Sequence, residues 1–122
     1  MTDDTTATPA ANPAATPPGP EHPEAAQPFT IAGVTIDPGA SATIAIPVSN
    51  TATGLPASLH VRVLHGARPG PCIFVSAAIH GDEIVGTAVI QRLLAKLDAE
   101  SMAGTVLFLP VVNIFGFQAH RR

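Results

Sequence analysis

The sequence of 122 residues has no tryptophan, no tyrosine and a single cysteine, and only 12% of its residues are charged. The lone Cys72 has no intramolecular partner, which excludes a disulfide framework, and its place in an apolar run predicts a buried small hydrophobic residue. The scarcity of aromatic residues leaves valine, isoleucine, leucine and alanine to build the interior, a composition typical of sheets covered by helices. We therefore expect one small domain of the α/β class.

Charge and long apolar runs are also scarce, which excludes several kinds of partner. The formal net charge is −3 and the basic residues are scattered, so we expect no nucleic acid partner. The longest apolar runs, at 72–79 and 105–112, are far shorter than the roughly 20 residues of a membrane-spanning helix, so we expect no membrane association. The first residues do not resemble a secretory signal, which predicts a cytoplasmic location.

Composition divides the chain into three predicted parts. Residues 1–28 are rich in alanine, proline and threonine and are expected to form a disordered tail, with a proline-rich docking peptide as the alternative. Residues 29–66 are expected to form a β-rich leading segment. Residues 67–122 are expected to begin a larger α/β domain that this chain leaves incomplete.

The leading segment contains three stretches with the alternation of β-strands. Residues 30–36 and 42–48 flank Asp37-Pro38-Gly39, a turn sequence, and together predict a β-hairpin. In the third stretch, 59–64, the apolar residues share one face and His60 lies on the other, so we expect one buried and one wet face.

The pattern from 72 to 112 predicts a β-α-β unit with parallel strands. Residues 72–79 form a continuous apolar run, typical of a central strand covered on both faces. Residues 82–97 have the spacing of an amphipathic helix. Gly104 then allows the chain to turn into a second buried strand at 105–112.

The most informative residues are His80-Gly81-Asp82-Glu83, where the predicted strand ends and the predicted helix begins. Ligand sites of open α/β sheets gather at the carboxyl ends of strands, and His80 and Glu83 could converge on one metal ion if Gly81 lets the backbone turn tightly. A simpler interpretation is equally open on spacing alone. Asp82 would then cap the helix, Glu83 would complement its dipole, and His80 would be a polar residue at a strand end.

A family resemblance adds to this interpretation. The string AAIHGDEIVG at 77–86, preceded by Gly70-Pro71 and followed by PVVNIFGF at 110–117, closely resembles the succinylglutamate desuccinylase/aspartoacylase family, over about residues 29–122. That family is similar to the zinc carboxypeptidases. The resemblance implies the first part of a carboxypeptidase-like mixed sheet and a zinc-dependent hydrolase, with Zn²⁺ as cofactor, that cleaves the amide bond of a small N-acyl amino acid.

The resemblance also implies roles for particular residues. It makes His80 and Glu83 the first two zinc ligands. It places the active-site arginine, which would polarise the scissile carbonyl and stabilise the oxyanion, on Arg122, with Arg121 one position early. His120 falls where the family has a polar residue that does not bind the metal.

The family pattern continues with an Asp-Leu-Asn-Arg stretch, a second zinc histidine and a general-base glutamate, none of which occurs in these 122 residues. We therefore expect a truncated chain that is inactive alone, with the acyl group, the amino acid and the oligomeric state left open. A zinc carboxypeptidase acting on peptides and a non-catalytic fragment remain alternatives. The other histidines, His22, His60 and His65, are expected to lie on the surface.

Overall fold

The computed structural model describes residues 25–51 and 53–121. Most of the predicted tail, including His22, lies outside the described residues, and so does Arg122. Among the described residues no helix is long and apolar enough to cross a membrane. The elements in chain order are β1 Phe29–Ile31, β2 Val34–Ile36, β3 Ser41–Asn50, β4 Pro56–His65, β5 Arg68–Ser76, α1 Val85–Leu94, a 3₁₀ turn Ala99–Ser101, β6 Ala103–Leu109 and α2 Ile114–Ala119.

The first hairpin differs from the predicted one. β1 pairs with β2, and β3 pairs with β4, so the expected pairing across Asp37-Pro38-Gly39 is wrong. The hairpin turn is Ala32-Gly33, where both residues have positive φ (49° and 77°), as a two-residue hairpin turn of matching twist requires. Alanine is an unusual residue in that conformation, which is why the turn was not visible in the sequence.

The main sheet has four strands in the order β3-β4-β6-β5. The β3–β4 and β4–β6 pairs are antiparallel, and the β5–β6 pair is parallel. The predicted α/β class, with a mixed sheet, a β-α-β unit and a small separate β segment, is therefore confirmed.

One face of this sheet is closed by the β1–β2 hairpin. Its core consists of Ile36, Ile44, Val61 and Val63, each at most 5% exposed. The predicted buried face of β4 is confirmed, because Val61 and Val63 point into this core. The predicted wet face is only partly exposed, because His60 is exposed but Leu64 is buried in a second core.

The other face is covered by α1. Ile90 and Phe108, each 1% exposed, are the centre of this second core. The helix is shorter than the predicted 82–97, because it begins after Ile84 and ends at Leu94. Gly104, expected to form a turn ahead of the strand, is instead the second residue of β6, where its φ is +80° and the pairing with β5 is irregular.

The strand predicted to be central is an edge strand. β5 pairs only with β6 among the described residues, and its residues from Arg68 to Phe74 are exposed, including Cys72, so the prediction of a buried cysteine is wrong. The central position is taken by β6, which pairs with β4 on one side and β5 on the other. An apolar run indicates a strand suited to burial on both faces, but the run does not specify which strands lie beside it.

His65 is a second correction, because it is 5% exposed rather than on the surface. Its Nε2 donates to the backbone oxygen of Gln27 at 2.8 Å, and its Nδ1 accepts from the Thr105 hydroxyl at 2.8 Å. The imidazole thus joins β4 to β6 and to the segment that precedes β1. Both partners are about 40 residues away in sequence, so local pattern could not indicate them.

Candidate metal centre

The candidate site begins where β5 ends. Ala77 and Ala78 are buried, and Ala78 has a positive φ of 48°, which alanine adopts only when its surroundings enforce it. Here the enforcing contacts are backbone hydrogen bonds: Val112 N–H donates to the oxygen of Ala77, and Asn113 N–H donates to that of Ala78, each at 3.1 Å. The chain therefore turns away from the sheet just before His80.

His80 and Glu83 come together on this turn. The Nδ1 of His80 lies 3.0 Å from Oε1 of Glu83, and the two side chains are 45% and 55% exposed. The backbone N–H of Glu83 also donates to the oxygen of His80 at 3.1 Å, which folds the segment into a tight turn. An ion pair this exposed contributes only about 0–1 kcal/mol to stability, so it does little to hold the fold.

The helix-capping interpretation of this segment is wrong. The residue at the N-cap of α1 is Ile84, which makes no side-chain capping bond, and the first turn of α1 contains no acidic residue. Asp82 and Glu83 lie before the helix.

Gly81 is required for a different reason from the one predicted. Its φ is not among the positive ones, but it is buried, and a Cβ there would overlap the backbone of Gly116. Gly116 is crowded in turn, because a Cβ on it would overlap the Asn113 amide and lie 2.8 Å from the oxygen of Arg121. The two glycines let two distant parts of the chain touch through their backbones.

The second loop is built around α2. The Oδ1 of Asn113 accepts from Gly116 N–H at 2.8 Å and caps the helix, which ends at His120 in the left-handed conformation. Arg121 N–H then donates to the oxygen of Gly116, and Gly81 N–H donates to the oxygen of Arg121, both at 2.8 Å. The loop that the family resemblance places before the arginine thus lies against the His80 turn.

The donor set fits a zinc ion in type and spacing. In tetrahedral coordination the ligand atoms of a histidine and a carboxylate lie about 3.3 Å apart, and the observed Nδ1–Oε1 distance is 3.0 Å. A metal ion bound by these two atoms would replace the hydrogen bond between them. No third histidine, cysteine or acidic residue joins the pair within 25–51 and 53–121, so the described residues provide two ligands at most.

The remaining predicted site residues are placed as follows. His120 lies at the exposed end of α2, and Arg121 lies beside the His80 turn through its backbone. Arg122, the predicted catalytic arginine, is outside the described residues.

Sequence analysis missed the roles of Ala78 and Asn113. An asparagine before a short helix is a recognisable capping signal, but a left-handed alanine has none.

A groove of about 600 Å³ lies beside the pair. Its lining comes from the end of β5, the turn after it and the start of α1, and includes Asp82 and Glu83 with the apolar Ile79, Ile84 and Val85. The open space therefore adjoins Glu83, whereas His80 is not part of its lining.

Residues 69–122 match the family model of the succinylglutamate desuccinylase/aspartoacylase catalytic domain. Solved structures of the same family share the fold of this chain. The chain therefore resembles the succinylglutamate desuccinylase/aspartoacylase family, of which it covers only a part.

Particular relatives show the same resemblance. The chain is 30% identical over 77 residues to the N-alpha-acetyl-L-2,4-diaminobutyric acid deacetylase of Halomonas elongata, a match that covers 63% of this chain and 22% of the relative. A succinylglutamate desuccinylase/aspartoacylase from Rhodobacter sphaeroides is 28% identical, with a TM-score of 0.56 over 67% of this chain and 26% of that structure. The ectoine utilization protein EutE from Ruegeria pomeroyi, in a product-bound structure, is 25% identical with a TM-score of 0.56. That match covers 67% of this chain and 25% of that structure. The chain thus spans about a quarter of the length of these relatives.

Proposed function

We propose that this chain provides the first two zinc ligands, His80 and Glu83, of a hydrolase that cleaves the amide bond of an N-acyl amino acid. The observation that carries the proposal is the His80–Glu83 pair, 3.0 Å apart at the carboxyl end of β5. Ligands at this edge are typical of open α/β sheets, and the pair adds too little stability to be explained as structural. The names of the relatives, which include a desuccinylase and a deacetylase, support a deacylase.

The chain's own residues would act by holding and orienting. Zinc, when bound, supplies a Lewis acid and an activated water. His80 would bind it through Nδ1, the atom that faces the carboxylate, and Glu83 through Oε1. The turn that carries both is braced by backbone hydrogen bonds to the loop before α2, which limits the reorganisation needed on binding.

Arg122 is proposed to stabilise the oxyanion. The preceding residue lies against the His80 turn, since the oxygen of Arg121 accepts from Gly81 N–H at 2.8 Å. A guanidinium with paired donors suits the charge that develops on a carbonyl oxygen.

Peptide cleavage by a zinc carboxypeptidase is the alternative activity. The relatives favour a small N-acyl amino acid, because the Halomonas protein is named for deacetylation of acetylated diaminobutyric acid. We therefore propose an enzyme that acts on small molecules, and its proposed location is the cytoplasm. Assays on both kinds of substrate separate the two activities.

The test is hydrolysis by the full-length gene product of N-acetyl and N-succinyl amino acids and, in parallel, of peptides with a free carboxyl terminus. We expect amine release from the acyl amino acids only, its loss after chelation and its return on adding zinc. Glu83→Gln should abolish turnover, and Glu100→Gln, a change of an exposed acid on the far 3₁₀ turn, should not. Turnover that survives complete removal of metal would refute the proposal.

A further inference from the structure

Hydrogen bonds from one loop hold the backbone on both sides of His80. Two residues before it, the oxygen of Ala78 accepts from Asn113 N–H at 3.1 Å. One residue after it, Gly81 N–H donates to Arg121, whose own N–H donates to Gly116. Gly116 N–H donates to the side chain of Asn113, which closes a ring.

The Asn113 side chain is the only side chain in this ring. The other three bonds join backbone atoms, so they form whatever side chains are present, provided the loop keeps its shape. α2 has six residues, too few for a helix to be stable without help from caps and packing, so its first turn depends on the cap. Loss of the Oδ1 acceptor would leave Gly116 N–H without this bond. The backbone of Gly116, and the Arg121 backbone that binds both Gly116 and Gly81, would then be held less firmly.

The ring has consequences for His80 because its own contacts are weak. The imidazole is 45% exposed and hydrogen-bonds to Glu83 on the same turn, so the ring of hydrogen bonds supplies a constraint from outside that turn. Ala78 is also held in a left-handed conformation, which relaxes if the bond from Asn113 N–H is lost.

We infer that Asn113 is a positioning residue that fixes the backbone on both sides of His80 and so sets the zinc affinity of the site. The inference rests on the proposed function for the metal itself. Groups that orient a ligand without touching the metal typically change affinity by about 10- to 100-fold when they are removed.

Three variants of the full-length protein test this inference. Asn113→Ala removes the acceptor, and Asn113→Ser keeps an uncharged side chain that can cap. Asp98→Ala is the matched control, because Asp98 caps the 3₁₀ turn by accepting from Glu100 N–H at 3.2 Å, away from the ring. Zinc affinity is measured by competition with a chromophoric chelator, and exchange of the Gly81 amide hydrogen is measured without metal.

Asn113→Ala is expected to weaken zinc binding at least about tenfold and to speed Gly81 exchange by a similar factor. Asn113→Ser should stay within about threefold of the wild type, and Asp98→Ala should lower the melting temperature without changing either quantity. Unchanged zinc affinity in a folded Asn113→Ala variant would overturn the inference, as would weaker binding with unchanged Gly81 exchange. A wild-type protein that binds no zinc would instead overturn the proposed function, and the inference with it.

Discussion

The four-stranded sheet has two edge strands, β3 and β5, and they are protected to different degrees. On β3 the exposed residues include serine, threonine and asparagine beside the apolar Val48, and the pairing with β4 is interrupted by an irregularity between Pro47 and Ser49. On β5 the apolar Ile73 and Phe74 are 52% and 72% exposed. Proline and bulges blunt an edge, whereas exposed apolar residues leave it open to association.

The turns that follow these two strands differ in how tightly they are packed, and the tighter turn follows the less protected strand. Gly54, in the connection from β3 to β4, has open space around it and a positive φ of 81°. Gly81, after β5, is sealed against Gly116. The less protected strand therefore leads into the more constrained turn, which is the turn that carries the candidate ligands.

The largest effect is expected for the sealed turn. Gly81→Ala would force the His80 turn away from α2. We expect the free energy of unfolding to fall by about 3 kcal/mol or more, and zinc binding to be lost. Gly54→Ala is the control and should cost about 1–2 kcal/mol, from its left-handed backbone alone. Urea unfolding measures both, and equal losses would mean that the contact between the two glycines is not tight.

Next in size is a change in the closed core under β3. Ile44 is 5% exposed, so Ile44→Val should lower the free energy of unfolding by about 0.5–1.5 kcal/mol. Val48→Ala on the same strand, where the side chain is 53% exposed, should change it by less than about 0.5 kcal/mol. Urea denaturation measures both variants. A larger loss of unfolding free energy for Val48→Ala than for Ile44→Val would contradict the assignment of the two side chains to exposed and buried positions.

A substitution on β5 should change the free energy of unfolding less than Ile44→Val does, although it alters the side chain more. Phe74→Thr keeps a residue suited to a strand and is expected to change the unfolding free energy by less than about 0.5 kcal/mol while reducing self-association of the 122-residue chain. Urea unfolding and light scattering measure the two effects. A loss above about 2 kcal/mol would show that Phe74 is buried.

The smallest perturbation is chemical labelling of Cys72. Because this thiol is exposed on β5, a maleimide reagent should modify one equivalent in the native 122-residue chain at the rate seen for the urea-unfolded chain, within about tenfold. Mass spectrometry follows the reaction, with Cys72→Ser as the blank. Protection far beyond that range would mean that β5 is covered.

The comparison of the edge strands also explains which parts of the fold the sequence could predict. Val61 and Val63 alternate with His60 because they face the core under the β1–β2 hairpin while His60 is exposed on the opposite face, and this arrangement is visible locally as a period of two. The apolar run around Cys72 predicts a strand correctly, but its place at the edge depends on β6 lying on one side only. Strand order is a property of distant pairings, which one segment does not contain.

The site was predictable to a similar extent. His80 and Glu83 could be selected from their spacing, their position after a strand and a family resemblance, and the structure brings them to hydrogen-bonding distance. The close contact of Gly81 with Gly116 joins segments 35 residues apart in sequence, so no local pattern specifies it. The resemblance places both motifs in order, but only the fold shows that they touch.

The central claim is that His80 and Glu83 are a ligand pair, and the zinc content of the full-length protein tests it most directly. Metal analysis after dialysis would be compared for the wild type, His80→Ala, Glu83→Gln and the control Glu100→Gln. We predict about one zinc per wild-type and control protein, and loss of that zinc in both ligand variants. Retention of full zinc content by folded His80→Ala and Glu83→Gln proteins would contradict the account.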